Sequence, residues 1–403
     1  MGGKASILLV LGFSLIFMVA GRSFNNMATD TTENVSSYFL ETKAKHAASA
    51  GVNVIVNKLF LNATVQDQTF NWTFDSSSIS ATLSTLDAYK NIRQLLSVGS
   101  YGGVSHTTKI IFKPSLFSKF AYFANTEGTI WWTTGDTVWG PFHTNSDLRV
   151  ANKPIFYGKV TIGGSQINYN KNAKPQYLGG FQKGINIAIP TNGVTKVSDA
   201  SAQGVKFTGK DLVYFEFRGD SVRYRYTSTG AWTYKLASTF SPNGVIFFDN
   251  AEVRLKGTVK GKYTLAASGT TGNKGKIYLD DDIVYHSNPR TNPSSTDMLG
   301  IVAERDVVIT DNTANNSSIN IQAAIYAQTG SFVAENYSTR PPSGFINLYG
   351  GITQNTRGAV GTFSGTTITA GFSKRYRYDT RLLDAYPPAY PGTGSFEVVS
   401  WFE

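Results

Sequence analysis

The sequence predicts an α+β protein that is mainly β, with one long N-terminal helix and then a β-rich domain built as a β-solenoid carrying a hairpin insertion. Three observations predict this. An uncharged apolar stretch, ASILLVLGFSLIFMVA at 5–20, is followed by no proline before Pro114. After Thr129 the chain breaks into short apolar runs separated by Gly, Asn and Asp. The composition, with 39 Gly, 21 Tyr and 26 Phe among 403 residues, favours strands and turns over further helices.

The first element is the helix. Its apolar stretch, with Ile7, Leu8, Leu9, Leu11, Phe13, Leu15, Ile16 and Phe17, lies between Lys4 and Arg22 and is just short of the usual membrane-spanning length. A secretory signal peptide would end in a small-x-small cleavage site, whereas this stretch runs through Val19, Ala20 and Gly21 into Arg22. A buried core helix is a second reading. The reading preferred is an anchor helix that continues beyond the membrane, because apolar residues recur at helical spacing from Val35 through Phe39, Ala44, Ala47, Ala48, Gly51, Val52, Ile55 and Leu59. Continuous from about Ser6 to Leu59, it would be about 80 Å long. The small residues Ala47, Ala48, Ala50 and Gly51 let another backbone approach, preferably a strand of the same chain.

Residues 61–128 are expected to form an α/β segment that packs on this helix. It contains a polar turn around residues 75–80 and then TLDAYKNIRQLLSVGSYGG at 85–103, read as a strand against the helix. Residues 129–403 form the extracellular β-rich domain. Runs such as IFYGKVTIGG, VIFF, IVAERDVVIT and INIQAAIYA suit stacked solenoid turns, each strand burying one face while Gly and Asn take the corners. A β-sandwich, with longer alternating strands, ranks second. The insertion is placed at 195–240, where LVYFEFRGDSVRYRY reads as an antiparallel hairpin around Arg218, Gly219 and Asp220. Pro387, Pro388 and Pro391 make an extended exit before a final apolar strand at 396–402.

Several chemistries find no support. The absence of cysteine removes disulfides, thiolate metal sites and thiol nucleophiles. The formal charge of +10 would suit nucleic acid, anionic lipid or acidic surface polymers, but the charged residues are scattered and nucleic acid is not the expected partner. No Walker or dinucleotide loop occurs, and none of His46, His106, His143 and His286 has the close spacing of a zinc helix. His143, with Thr144 and Asn145, is read as pinning a turn. Asp280, Asp281 and Asp282 are the one metal candidate, for calcium, against a solvated turn. Trp131, Trp132, Trp139 and Trp232 are expected to be buried, and surface tyrosines would suit a glycan or protein partner. No cofactor and no catalytic residue is expected.

The segment YFLETKAKHAASAG at 38–51, following the apolar helix, resembles type IV pilin-like proteins, in particular minor pilins of the PilX type. The runs GPFHTNSDLRV at 140–150 and KPIFYGKVTIGG at 153–164 resemble a motif of uncharacterised bacterial surface proteins with such N-termini. The resemblance implies an envelope protein whose helix packs with other pilin-like subunits or with itself, and processing between Gly3 and Lys4 after a leader of Met1, Gly2 and Gly3. Major pilins carry a glutamate five residues into the mature chain; here that place would hold Leu8, which points to a minor subunit. A structural, non-catalytic role in pilus or filament assembly, adhesion or scaffolding follows. The alternatives are a secreted or anchored β-solenoid enzyme acting on acidic polysaccharide, and the major subunit of an extracellular filament.

Overall fold

The structure is a computed structural model that describes residues 2–62, 65–87 and 91–403. Met1 of the leader and residues 88–90 of the expected strand at 85–103 lie outside the described residues. The chain divides into two compact units, Met1–Pro114 with Gly394–Glu403, and Ser115–Thr393.

In the first unit the helix Gly2–Leu61 runs unbroken for 60 residues, about 90 Å at 1.5 Å per residue. In its polar middle Thr29, Thr31 and Thr32 return their hydroxyls to the carbonyls of Asn25, Met27 and Ala28, one turn back, so these side chains are satisfied without leaving the helix. The described part of the following segment is mainly strand: Gln68–Phe74, Ser77–Asp87, Ile92–Tyr101 and Val104–Leu116 form an antiparallel meander that Gly392–Phe402 completes at one edge, and a single 3-10 turn follows at Phe117–Lys119. The polar turn narrows to Asp75 and Ser76, at φ +48° and +60°, the left-handed pair that a two-residue type I′ hairpin needs. Ser77 and the residues after it are already paired in the sheet.

Full burial on the sheet begins at Ala44; before it Phe39 meets Tyr101 edge-on, with ring centroids 6.1 Å apart. Val35 is 64% exposed and Phe39 51%, whereas Ala44, Ala48 and Val52 are fully buried. The reason is that small residues, not large ones, set the contact. A Cβ placed on Gly99 would lie 2.2 Å from the Ala48 nitrogen, and one on Gly51 would lie 2.2 Å from Ser97 Oγ. Below this close approach Val52, Ile55 and Leu59 join Ala81, Leu83, Leu95, Ile110 and Phe112 in a small core.

The second unit is dominated by parallel ladders of short strands. In the longest, one column of inward residues reads, neighbour to neighbour, Val205, Ile246, Leu265, Ile301, Ile325, Ile352, Tyr122, Phe142, Val160 and Phe181. The order in space is not the order in sequence. The chain enters in mid-ladder at Tyr122–Thr126 and climbs to Phe181–Lys183. Residues 184–204 cross back over the outer face, tied to it by Asn145 with Ile187 (2.7 and 2.8 Å), Tyr326 with the Pro190 carbonyl (3.2 Å), Gln328 with Thr191 (2.9 Å) and Asn243 with Ala200 (2.7 Å). The ladder restarts at Val205–Phe207 and builds back until Pro342–Thr356 sets Ile352 beside Tyr122. A second ladder carries the column Leu348, Tyr376, Val138 and Phe156 and closes the same seam, because Tyr376 pairs with Val138.

The hairpin at 212–226 forms, with Gly219 at φ +65° in a two-residue loop between Leu212–Gly219 and Ser221–Arg225. Its first strand is not part of an insertion, since Leu212–Gly219 also pairs in parallel along all its length with Glu252–Val259. Val205–Phe207 likewise belongs to the longest ladder. Of the described strands within 195–240, Ser221–Arg225 and Thr233–Leu236 stand outside the parallel stack, as an antiparallel extension.

Candidate functional site

Five sets of residues bear on function, and the helix is the largest. Ile7, Leu8, Leu9, Leu11, Phe13, Leu15, Ile16 and Phe17 are all more than half exposed, from 54% at Phe13 to 73% at Phe17. The helix is long and apolar enough to cross a membrane, with an 18-residue stretch of mean hydropathy 2.1. Gly3 and Lys4 lie in its first turns. On the distal part Ala47, Ala48, Gly51, Val52, Ile55 and Leu59 are buried against the strands of their own unit.

His143 and Thr144 are not turn residues. Both lie in the strand Phe142–Thr144, fully buried, because parallel neighbours on either side, Phe123 and Thr161 next to His143, hold the segment extended. The turn begins at Asn145. The His143 ring joins Thr161 Oγ1 (2.7 Å) to Asn145 Oδ1 (2.8 Å), and the same Asn145 oxygen takes the Ile187 N–H. Burial holds the imidazole below its ordinary pKa, so it is neutral at pH 7. Asn145, held by His143, therefore anchors the returning segment to the ladder.

Asp280, Asp281 and Asp282 lie within the strand Ile277–Tyr285, where a bulge interrupts the pairing with Glu252–Val259, and not in a turn. Their oxygens accept from protein donors: Asp280 from Arg254 and Thr310, Asp281 from the Asp282 N–H, and Asp282 from the Asn320 backbone and side chain. Among the described residues no group of three or more His, Asp or Glu is arranged to hold a metal ion.

Two further sets were not singled out from the sequence. At the seam, Glu127 is fully buried and accepts from Tyr122 Oη (2.7 Å), Trp132 Nε1 (2.9 Å) and Arg357 Nη1 (2.8 Å). Beside it Lys374 Nζ donates to both oxygens of Asp136, at 3.0 and 2.9 Å. The indole of Trp132 separates the two pairs, with the Arg357 guanidinium carbon 4.1 Å and Lys374 Nζ 5.5 Å from its ring centre. Burial depresses the Lys374 ammonium pKa even though Asp136 opposes the shift. Burial also lifts the Tyr122 and Tyr376 phenols well above their usual range. The network is buried, with Lys374 reaching only 10% exposure at its side chain, and its charges are satisfied within the protein.

The last set is a groove of about 450 Å³ on the outer face of the second ladder. Arg290, Arg375 and Arg377 line it together with Trp139, Tyr349 and the amides of Asn288, Asn320, Gln322 and Asn347. A signal for it exists in the sequence. KRYRY at 374–378 alternates, and the period of two sends Lys374, Tyr376 and Tyr378 inward and Arg375 and Arg377 outward. Trp139 is only half-buried; Trp132 is the fully buried indole of its neighbourhood.

Comparison with known proteins adds little. Residues 87–165 match a family described as a domain of unknown function (DUF4900). No curated protein matches the chain. Among solved structures, the competence-associated pilin ComZ from Thermus thermophilus aligns over 90% of this chain and 96% of its own, at 15% identity and a TM-score of 0.34. A likeness of that degree carries no functional reading.

Proposed function

We propose that this chain is a non-catalytic, pilin-like protein of the bacterial envelope, held by its N-terminal helix, with the β-rich unit displayed outside the membrane. One observation carries the reading. The helix splits into a proximal stretch whose large apolar side chains meet nothing in their own unit and a distal stretch buried on a sheet. An exposed Leu, Ile or Phe side chain gives up about 1.5–3 kcal/mol relative to burial, so roughly a dozen of them need lipid or neighbouring helices. The partners are then the membrane and other pilin-like subunits of the PilX minor type, or further copies of this chain, with processing between Gly3 and Lys4. The parallel stack of the second unit is read as a β-solenoid serving as an adhesive, capping or scaffolding head.

Replacing Leu8, Leu9, Val10 and Leu11 by Lys tests the anchor. The expected result is a shift of the protein from the membrane fraction to the soluble fraction; unchanged partitioning would refute it. Intact mass of the native protein, with or without residues 1–3, decides the processing step.

A further inference from the structure

We propose that the arginine groove of the second ladder binds an acidic polysaccharide. Six of the twelve arginines in this unit, Arg218, Arg223, Arg254, Arg340, Arg357 and Arg381, each have a carboxylate partner. Arg290, Arg375 and Arg377 have none among the described residues, and these three line one groove whose walls include no Asp or Glu. Nearby carboxylates are engaged elsewhere. Asp282 at the rim is held by Asn320, and buried Asp379 is clamped by Arg381.

Two of the guanidinium groups are oriented and not merely present. Arg375 lies 3.4 Å over the Phe345 ring centre and Arg377 4.7 Å over that of Trp139. Stacking fixes the plane and leaves the N–H fork free for an oxyanion in bidentate geometry. The amides between them are set by the ladder, with Asn320 paired to Asn347 and Asn347 to Arg375, and donate and accept in the way sugar hydroxyls require. The column Gln322, Tyr349, Arg377, Trp139 repeats at the strand spacing of about 4.8 Å and so runs for about 14 Å, a track suited to a short stretch of polymer.

The same cations would attract nucleic acid, but the aromatic surface argues for a glycan. Single-stranded nucleic acid is held by bases stacked on open rings. Trp139 offers no open face: Tyr157 stacks on it at 5.4 Å and 8°, and Arg377, its ladder neighbour on the other side, covers the opposite face. Apart from the single ring of Tyr349, the polar lining is guanidinium and amide, matched to carboxylate and hydroxyl. Without a carboxylate in the groove to act as acid or base, the site binds the polymer and does not hydrolyse it by a carboxylate pair.

The test uses the full chain in detergent micelles, immobilised and titrated with an oligogalacturonate, a neutral malto-oligosaccharide and oligothymidylate, with folding followed by circular dichroism. The oligogalacturonate is expected to bind in a salt-sensitive manner and the neutral sugar not to bind. R375Q/R377Q is expected to weaken binding about tenfold or more. R290Q, on the loop, tests the groove separately should the double variant fold poorly, and is expected to weaken binding severalfold. R305Q, which removes an arginine elsewhere that donates to the Gly272 carbonyl, is expected to leave it unchanged. No oligogalacturonate binding, equal loss in R305Q, or tighter binding of oligothymidylate through the same arginines would overturn the proposal.

Discussion

The seam and the groove lie in the same parallel stack and use the same residue types, yet they treat charge in opposite ways. At the seam Arg357 is 2% and Glu127 0% exposed at the side chain, and each of Glu127's hydrogen bonds is made within the protein. In the groove Arg375 is exposed and has an aromatic ring beneath it but no counterion. The difference shows where ionic groups serve register and where they serve a ligand. The seam is where Pro342–Thr356 must find Tyr122–Thr126 and no other edge, and apolar burial, being non-directional, discriminates weakly between one ladder edge and another. A buried, hydrogen-bonded pair is satisfied in one register only, which is its use here despite the desolvation it costs.

The sharpest way to break this comparison is to remove one partner at the seam. E127Q or R357M leaves an uncompensated buried charge or a set of orphaned donors, and a loss of about 3–5 kcal/mol is expected in denaturant unfolding. Replacing both partners by apolar residues of similar volume, as in E127L/R357M, should recover most of that loss. If the double variant is as unstable as the singles, the pair matters through packing and not through its charge. If the recovered protein also exchanges amide hydrogens faster along Tyr122–Thr126, the register role is supported.

Titration sharpens the comparison next. Tyr122 and Tyr376 have folded pKa values raised above the ordinary 10.0, so they stay protonated in both states below pH 10 and favour the native state less and less above it, where the unfolded chain ionises first. Lys374 has the opposite sign. Its folded pKa is lowered from 10.5, so the unfolded chain binds the extra proton, and stability from this group rises with pH until the unfolded lysine itself loses its charge. Wild type should therefore gain from Lys374 on the approach to pH 10 and then unfold as tyrosinate appears at 295 nm. K374M should lack the gain and keep the alkaline fall; an unchanged profile would place Lys374 outside the linkage.

Much of the first unit could be read along the chain because its contacts are nearly local. The apolar stretch, the helical spacing from Ala44 to Leu59 and the alternation of Ile92–Tyr101 each declare one face. Periodicity from Val35 onward marks a face but not where its cover begins, and Val35 and Phe39 remain more than half exposed. In the second unit the short strands were legible as strands, whereas their neighbours were not. Glu127 and Arg357 are 230 positions apart, and nothing in either segment says that the ladder passes through both. His143 and Thr144 looked like turn residues because Gly140, Pro141, Asn145 and Asp147 flank them, and only the strands on either side make three residues of that segment extended. The groove was missed for the same reason: Arg290 meets Arg375 and Arg377 only after stacking, although the alternation at 374–378 already separated an arginine face from a tyrosine face.

The smallest expected effect completes the contrast. Among the described residues Arg290, Arg375 and Arg377 make no ion pair, and truncating an exposed side chain without a buried partner usually changes stability within about 0.5 kcal/mol. R290Q should unfold with the wild-type midpoint and slope in urea, and R375Q should lose no more than the stacking of its guanidinium on Phe345, about 0.5–1 kcal/mol at an exposed site. Substitutions of one residue type would thus differ severalfold in cost between two places in a single stack. A large loss from R290Q would mean that the arginine holds its loop in place, and the groove would then be an element of the fold that happens to be basic.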